Sequence, residues 1–466
     1  MSGANAGGYE PEIPSTVPGF KRLHVFGFQQ FDDVEIDLSG RLTVITGANG
    51  AGKTTLLKIL GSHFNWHSSF LSSPTPKAQD QLRKAELAAR KVEDPRLRSL
   101  IRQEIEELEE QRRSHPYYGG PHPDDAHYVG AIEYRGGTSS SIQQYDNSNA
   151  IEFSVGMTRQ QDVEGLYIGS HRAIAPYREV HEIPAKFSPP DRILDEFISQ
   201  LRSTLGYEQY SSGNDSGSMH QMKKTLLAAA LYGEGNGSVT PDSTAKDVWA
   251  GFQQVLKLIL PPSAGFNRLV SHPPEIVIET QRGEFPIDSL SGGLRALFEL
   301  AWQIHLKAFN TESFTVCIDE PENHLHPSLQ RSLVPSLMQA FPRTNFILAT
   351  HSPFVVTASE DASVYALRYN SEDFVISERL DFADKALSAE RTLTEILGVE
   401  TTSPIWVENK YQAILNQSHT SAADAENLAT LLDNLTRNGL GQLVPKAIRD
   451  VVNLSATTFE EDPQGE

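Results

Sequence analysis

Cysteine, basic charge and long apolar runs are all scarce in this chain. One cysteine, Cys317, stands in 466 residues, which excludes an internal disulfide and a cysteine-built zinc site and points to a reducing, cytoplasmic setting. Basic residues number 40 against 60 acidic ones, a formal charge of −20, so the long-range field repels polyanions. Nucleic acid is left with a local basic channel at most, and protein partners fit the surface better. No apolar stretch approaches the ~18 residues of a membrane span. Met1 to Thr16 lacks both the basic and the apolar region of a secretory signal, and no repeat with a period of about 20 to 50 residues is visible.

What is present reads as an ordinary globular composition, 39% hydrophobic and 21% charged, with length for a large core and added lobes. Phe20 to Asp37 has the spacing of two short strands, and Leu42 to Thr46 is a compact apolar strand running into a glycine loop and then a helix. Residues 76–115 turn rich in Glu, Lys, Arg and Gln, with Asp94-Pro95 as a helix start; they read as an inserted helical arm, either a solvated hairpin or a partner-binding element. Strand patterning returns at 128–134 and 151–155, helices are expected over about 190–262 with polar breaks at Ser211–Ser218 and Gly233–Gly237, and a strand follows at Ile276–Glu279. The expected organisation is a flexible tail (1–18), the first part of an α/β head (19–75), the arm (76–115), a β-rich part of the head (116–189), a helical lobe (190–265), the rest of the head (266–384), a helical C-terminal region (385–454) and an acidic tail (455–466).

The chemistry lies in four motifs. Gly47-Ala48-Asn49-Gly50-Ala51-Gly52-Lys53-Thr54, followed by Thr55, satisfies G-x-x-x-x-G-K-[ST] between a strand and a helix. Backbone amides of such a loop form an anion nest, Lys53 reaches the outer phosphates, and the Thr54 hydroxyl suits Mg²⁺. Leu290-Ser291-Gly292-Gly293 is a second glycine-rich motif, suited to contacting phosphate from a neighbouring subunit. Thr315 to Glu320 is an apolar strand ending in two carboxylates: Asp319 suits Mg²⁺ through water, and Glu320 can polarise a water for in-line attack. Phe346 to Ser352 is a further apolar strand tipped by His351, placed to bridge the γ-phosphate and that water. His324 and His326 lack a zinc spacing and are expected to shape a loop.

This order of motifs resembles the ABC-type ATPase head. Glu320-Pro321-Glu322-Asn323-His324-Leu325-His326-Pro327, and the opening from Lys21 to Phe31, resemble the OLD/RecF/Rad50-like branch, which includes the ATPase subunits of Septu, retron-associated and PARIS anti-phage systems. The resemblance implies a P-loop α/β head that closes head-to-tail around two Mg-ATP, with Ser291 and Gly293 of one copy meeting the γ-phosphate held by Lys53 of the other. It implies catalytic roles for Lys53, Glu320 and His351. The glutamine of that family's Q-loop has no clear counterpart; Gln143, Gln144, Gln160 and Gln161 are candidates, and Arg172 can face phosphate or DNA, or pair with a structural carboxylate. The TOPRIM nuclease pattern of OLD proteins is missing at Val407-Glu408-Asn409-Lys410, so a separately encoded effector, such as a nuclease, is the expected partner. The alternatives are the nucleotide-binding subunit of a membrane transporter and a nucleotide-gated scaffold with little turnover.

Overall fold

The computed structural model describes residues 19–66, 68, 70–71, 126–145, 152–170, 177–204, 217–381, 387–399, 403–417, 425–445 and 447–448. The expected tails, the arm at 76–115 and Arg172 lie outside the described residues. The chain divides into two compact units, Met1–Gly398 and Val399–Glu466.

In the first unit the core is a parallel sheet buried on both faces. Strands β3 (Leu42–Gly47), β12 (Phe314–Asp319) and β13 (Thr344–Ala349) are buried at every residue. That is why they read as continuous apolar runs rather than alternating ones. Side chains still alternate between the faces. Val44, Val316, Ile318, Phe346 and Leu348 join one core, while Ile45, Cys317, Ile347 and Ala349 join the other. On the first face lie α4 (Ser243–Ile259) and α5 (Gly292–Asn310), where Phe252 stacks edge-on with Trp302 at 4.9 Å between centroids. On the second lies α1 (Lys53–Gly61), which contributes Leu56, Leu57, Ile59 and Leu60. Burial in this apolar interior pushes the Cys317 thiol upward, so the one cysteine is an unreactive packing residue.

With β4 (Phe70–Leu71) at one edge and β15 (Val375–Arg379) near the middle, the strand order across the full sheet is β4-β7-β6-β5-β1-β2-β15-β14-β3-β13-β12-β8. The last five, from β14 (Ser363–Tyr369) through β8 (Gly165–Ile168), are mutually parallel. Parallel strands bring their C-terminal ends to one edge, the edge at which ligands of such sheets bind. Toward the other side β1 (Phe20–Phe28), β2 (Phe31–Asp37), β5 (Ala126–Tyr134), β6 (Ser139–Tyr145) and β7 (Glu152–Met157) form an antiparallel wing. A separate three-stranded sheet holds β9 (Phe266–His272), β10 (Glu275–Thr280) and β11 (Gly283–Pro286).

The expected helical stretch resolves into α2 (Pro190–Thr204), α3 (Ser218–Gly233) and α4. Ser218, expected at a loop, is buried as the first residue of α3 and donates its hydroxyl to Glu299 at 3.2 Å. The second unit contains helices α7 (Ile405–Gln417) and α8 (Ala425–Arg437), with a core of its own that includes Val407, Tyr411, Leu431 and Leu435.

Candidate nucleotide site

The glycines of the first motif are demanded by geometry. Gly47 has φ +141°, and a Cβ there would sit 2.6 Å from the Leu367 carbonyl oxygen. Gly52, at φ +91°, caps α1 and would drive a Cβ to 2.3 Å from the Phe31 ring. Only glycine fits both the backbone and the space. Ala48, Asn49 and Gly50 are exposed at the tip, the Gln30 amide donates to the Gly50 carbonyl, and Ala51 is buried with its N–H on the Ala48 carbonyl. No side chain caps the N-terminus of α1, so its first amides face the loop, the arrangement that attracts an anion.

Lys53 is 6% exposed, and its ammonium donates to the carbonyls of Gly47 at 2.9 Å and Ala48 at 3.1 Å. Burial pushes its pKa down, opposed by Glu320, Asp319 and Glu322. The Thr54 hydroxyl lies 3.1 and 2.9 Å from the two oxygens of Asp319, which is 1% exposed at the end of β12. Burial raises the Asp319 carboxyl, while Thr54 and Lys53 oppose the rise. Two hard oxygen donors side by side, one on a desolvated carboxylate, fit a Mg²⁺ ion.

The turn after β12 is tightly built. Glu320 adopts φ +49°, a conformation costly for a residue with a Cβ, and its N–H donates to the Ala349 carbonyl at 2.8 Å. Its carboxylate reaches 2.5 Å from Nδ1 of His351. Burial is the main force pushing Glu320 up to about 7; Glu322 and Asp319 add to it and His351 opposes. Glu322 is 4% exposed and accepts from the Thr350 hydroxyl at 2.5 Å and from the N–H groups of His351 at 3.2 Å and Ser352 at 3.1 Å. The same turn sends the Asn323 amide to the Ser170 carbonyl at 3.1 Å, just past β8. Sequence reading quoted Glu322 and Asn323 without a role, because the groups they bind are distant in the chain.

Ser291 and Gly292 are exposed at the start of α5. Leu290 donates its N–H to Ile287, and a Cβ on Gly293 would lie 2.7 Å from the His324 carbonyl oxygen, so Gly293 permits a close backbone approach within its own chain. Among the described residues no hydrogen bond joins 290–293 to 47–55. His324 and His326 are exposed, and His326 caps α6 (Pro327–Ala340) by accepting from Ser328. Of the four glutamines, Gln143 and Gln144 are buried on β6, Gln160 is exposed, and Gln161 donates its amide to Arg159.

Residues 267–357 match an AAA domain family whose description names the AbiEii toxin of a Type IV TA system, and residues 22–73 match a second AAA domain family. Similar proteins include the Septu protein PtuA of Bacillus mycoides (strain KBAB4), 22% identical over 65% of this chain and 39% of that protein. The Retron Vc95 probable ATPase of Vibrio cholerae is 41% identical over 16% of this chain and 12% of its own length. The OLD nuclease of Thermus scotoductus is 24% identical over 78% of this chain and 65% of that protein. The chain carries AAA-domain segments and is similar to ATPases of the OLD/Rad50-like branch. The chain spans 39% and 42% of the two Septu relatives it matches, about two fifths of their length. Among solved structures, the SMC head domain from Thermotoga maritima matches 78% of the chain at 13% identity with a TM-score of 0.38. The assignment of a P-loop, ABC-type α/β head rests on the strand order and the placement of the motifs. No helix among the described residues is long and apolar enough to cross a membrane.

Proposed function

We propose that this ATPase binds Mg-ATP at the edge formed by β3, β12 and β13, hydrolyses it to ADP and phosphate, and closes head-to-tail with a second copy around the nucleotide. The observation that carries this reading is convergence: Lys53, the Thr54–Asp319 pair and the Glu320–His351 pair come from three neighbouring strand ends. Lys53 leaves its two carbonyls for the outer phosphates, which are better partners for a desolvated ammonium. Residues Gly47 to Thr55 cradle the phosphates through their amides. Thr54 and Asp319 would hold Mg²⁺, which would supply charge neutralisation at the phosphate oxygens. Glu320 takes the proton of the attacking water, and His351, fixed by its contact with Glu320 and by the Glu322 clamp on its N–H, orients that water. Leu290 to Gly293 of the second copy complete the site, which accounts for the exposure of Ser291 and Gly292 and, among the described residues, for the absence of a hydrogen bond to the P-loop of their own chain.

The output of closure is control of a separately encoded effector in the cytoplasm. The relatives named for Septu and retron systems favour an anti-phage or DNA-processing setting, and the effector proposed for that setting is a nuclease. Direct contact with nucleic acid, if any, is confined to a local groove by the charge of −20. Glu320→Gln should lower turnover by about 10²–10⁴-fold and accumulate an ATP-bound dimer, read by sedimentation in Mg-ATP. Wild-type hydrolysis by that variant would remove Glu320 as the base.

A further inference from the structure

Lys223 has no exposed surface at all, yet it lies on α3 among Met219, Met222 and Leu226. Its ammonium sits 3.0 Å from Glu275 at the start of β10 and 2.8 Å from Asp288. The ring of Tyr177 covers it at 4.7 Å, and the Tyr177 hydroxyl donates to the other oxygen of Glu275 at 2.6 Å. Asp288 belongs to the short helical turn Ile287–Ser289, which runs directly into Leu290 and Ser291. Its neighbour Ile287 is fully buried and accepts the Leu290 N–H.

We infer that Lys223 is a positioning residue for the two-copy nucleotide site: through Asp288 it fixes the turn that presents Ser291 and Gly292 to the phosphates bound by the other copy. A fully desolvated ammonium is tolerated only while its carboxylates stay in place. The ion pair therefore resists any displacement of Asp288, and the turn has one position. Gly293, against the His324 carbonyl, holds the other end of the motif. Between these two mounts the exposed Ser289 donates its hydroxyl to the Pro286 carbonyl at 2.7 Å, while the Ser291 side chain makes no capping bond to α5. A displacement of about 1 Å in such a contact is enough to cost about 10²-fold in rate. This inference rests on the head-to-tail reading above.

The test separates Asp288 from Glu275, which share the same lysine but lie on different elements. In the Glu320→Gln chain, Asp288→Asn and Glu275→Gln are each compared for binding of a fluorescent ATP analogue in dilute monomer and for Mg-ATP-driven association by sedimentation. Asp288→Asn should bind the analogue as the parent does and associate at least about tenfold more weakly. Glu275→Gln should melt lower yet associate like the parent. Equal association by Asp288→Asn and the parent, or equal weakening by both variants, overturns the inference while leaving the head-to-tail site intact. A parent that stays monomeric in Mg-ATP overturns the two-copy reading itself, and the inference with it.

Discussion

Two residues carry most of the chemistry that can be tested singly. Glu320 is held up to about 7 by burial, so in the nucleotide-free chain the base role proposed for it is lost as the pH falls through that value. Hydrolysis should show an acid limb near pH 7, and Glu320→Gln should abolish that limb along with most of the rate. The stability effect has the opposite pH sense. A carboxyl whose folded pKa lies above its unfolded value stabilises the fold most below the unfolded value, and this contribution is lost as the pH rises through about 7. Glu320→Gln should therefore raise the melting temperature at pH 8 and leave it nearly unchanged at pH 5. Glu322 acts differently. Its three accepted bonds hold Thr350, His351 and Ser352, and Glu322→Ala leaves those donors without their partner at a cost of about 1–3 kcal/mol. We expect kcat to fall while affinity for ATP changes little, measured by steady-state kinetics beside direct nucleotide binding. Loss of affinity equal to the loss of kcat would show that Glu322 supports the phosphate loop instead.

At the scale of elements, the phosphate loop and its strand were legible because their chemistry is local. Gly47 and Gly52 are forced by backbone geometry within one turn, and β3 is an unbroken apolar run because it is covered on both faces. The carboxylate strand and the histidine strand were legible for the same reason. What could not be read from the sequence are contacts set by packing between distant segments: the clamp of Glu322 on the 350–352 turn, Asn323 on Ser170, and Lys223 on Asp288. A buried lysine on α3 carries no local mark, since the surrounding pattern of Met and Leu would serve an ordinary core helix. The position of the Q-loop glutamine was not legible either, and two of the four candidates lie buried on β6. The helical face of the first unit offers a prediction that is independent of nucleotide. Phe252 is fully buried against Phe298, Trp302 and His305, so Phe252→Ala should cost about 3–5 kcal/mol in urea unfolding. Nucleotide affinity of the folded fraction should be unchanged, because α4 packs on the face of the sheet opposite α1.

For the whole molecule the account makes one demand: a single chain cannot complete its own site. Among the described residues its phosphate loop and its Leu290–Gly293 motif share no hydrogen bond, and the proposal assigns the two motifs to different halves of a two-copy assembly. The most direct measurement is complementation between two disabled chains. Lys53→Ala removes the phosphate ligand and keeps the 290–293 motif; Ser291→Arg blocks the motif and keeps the phosphate loop. Each alone should be inactive as an ATPase. Mixed in equal amounts, they should recover hydrolysis that neither shows alone, because a mixed pair contains one intact composite site. A mixture that stays as inactive as its components, with both variants folded and Ser291→Arg still binding ATP, would contradict the two-copy site.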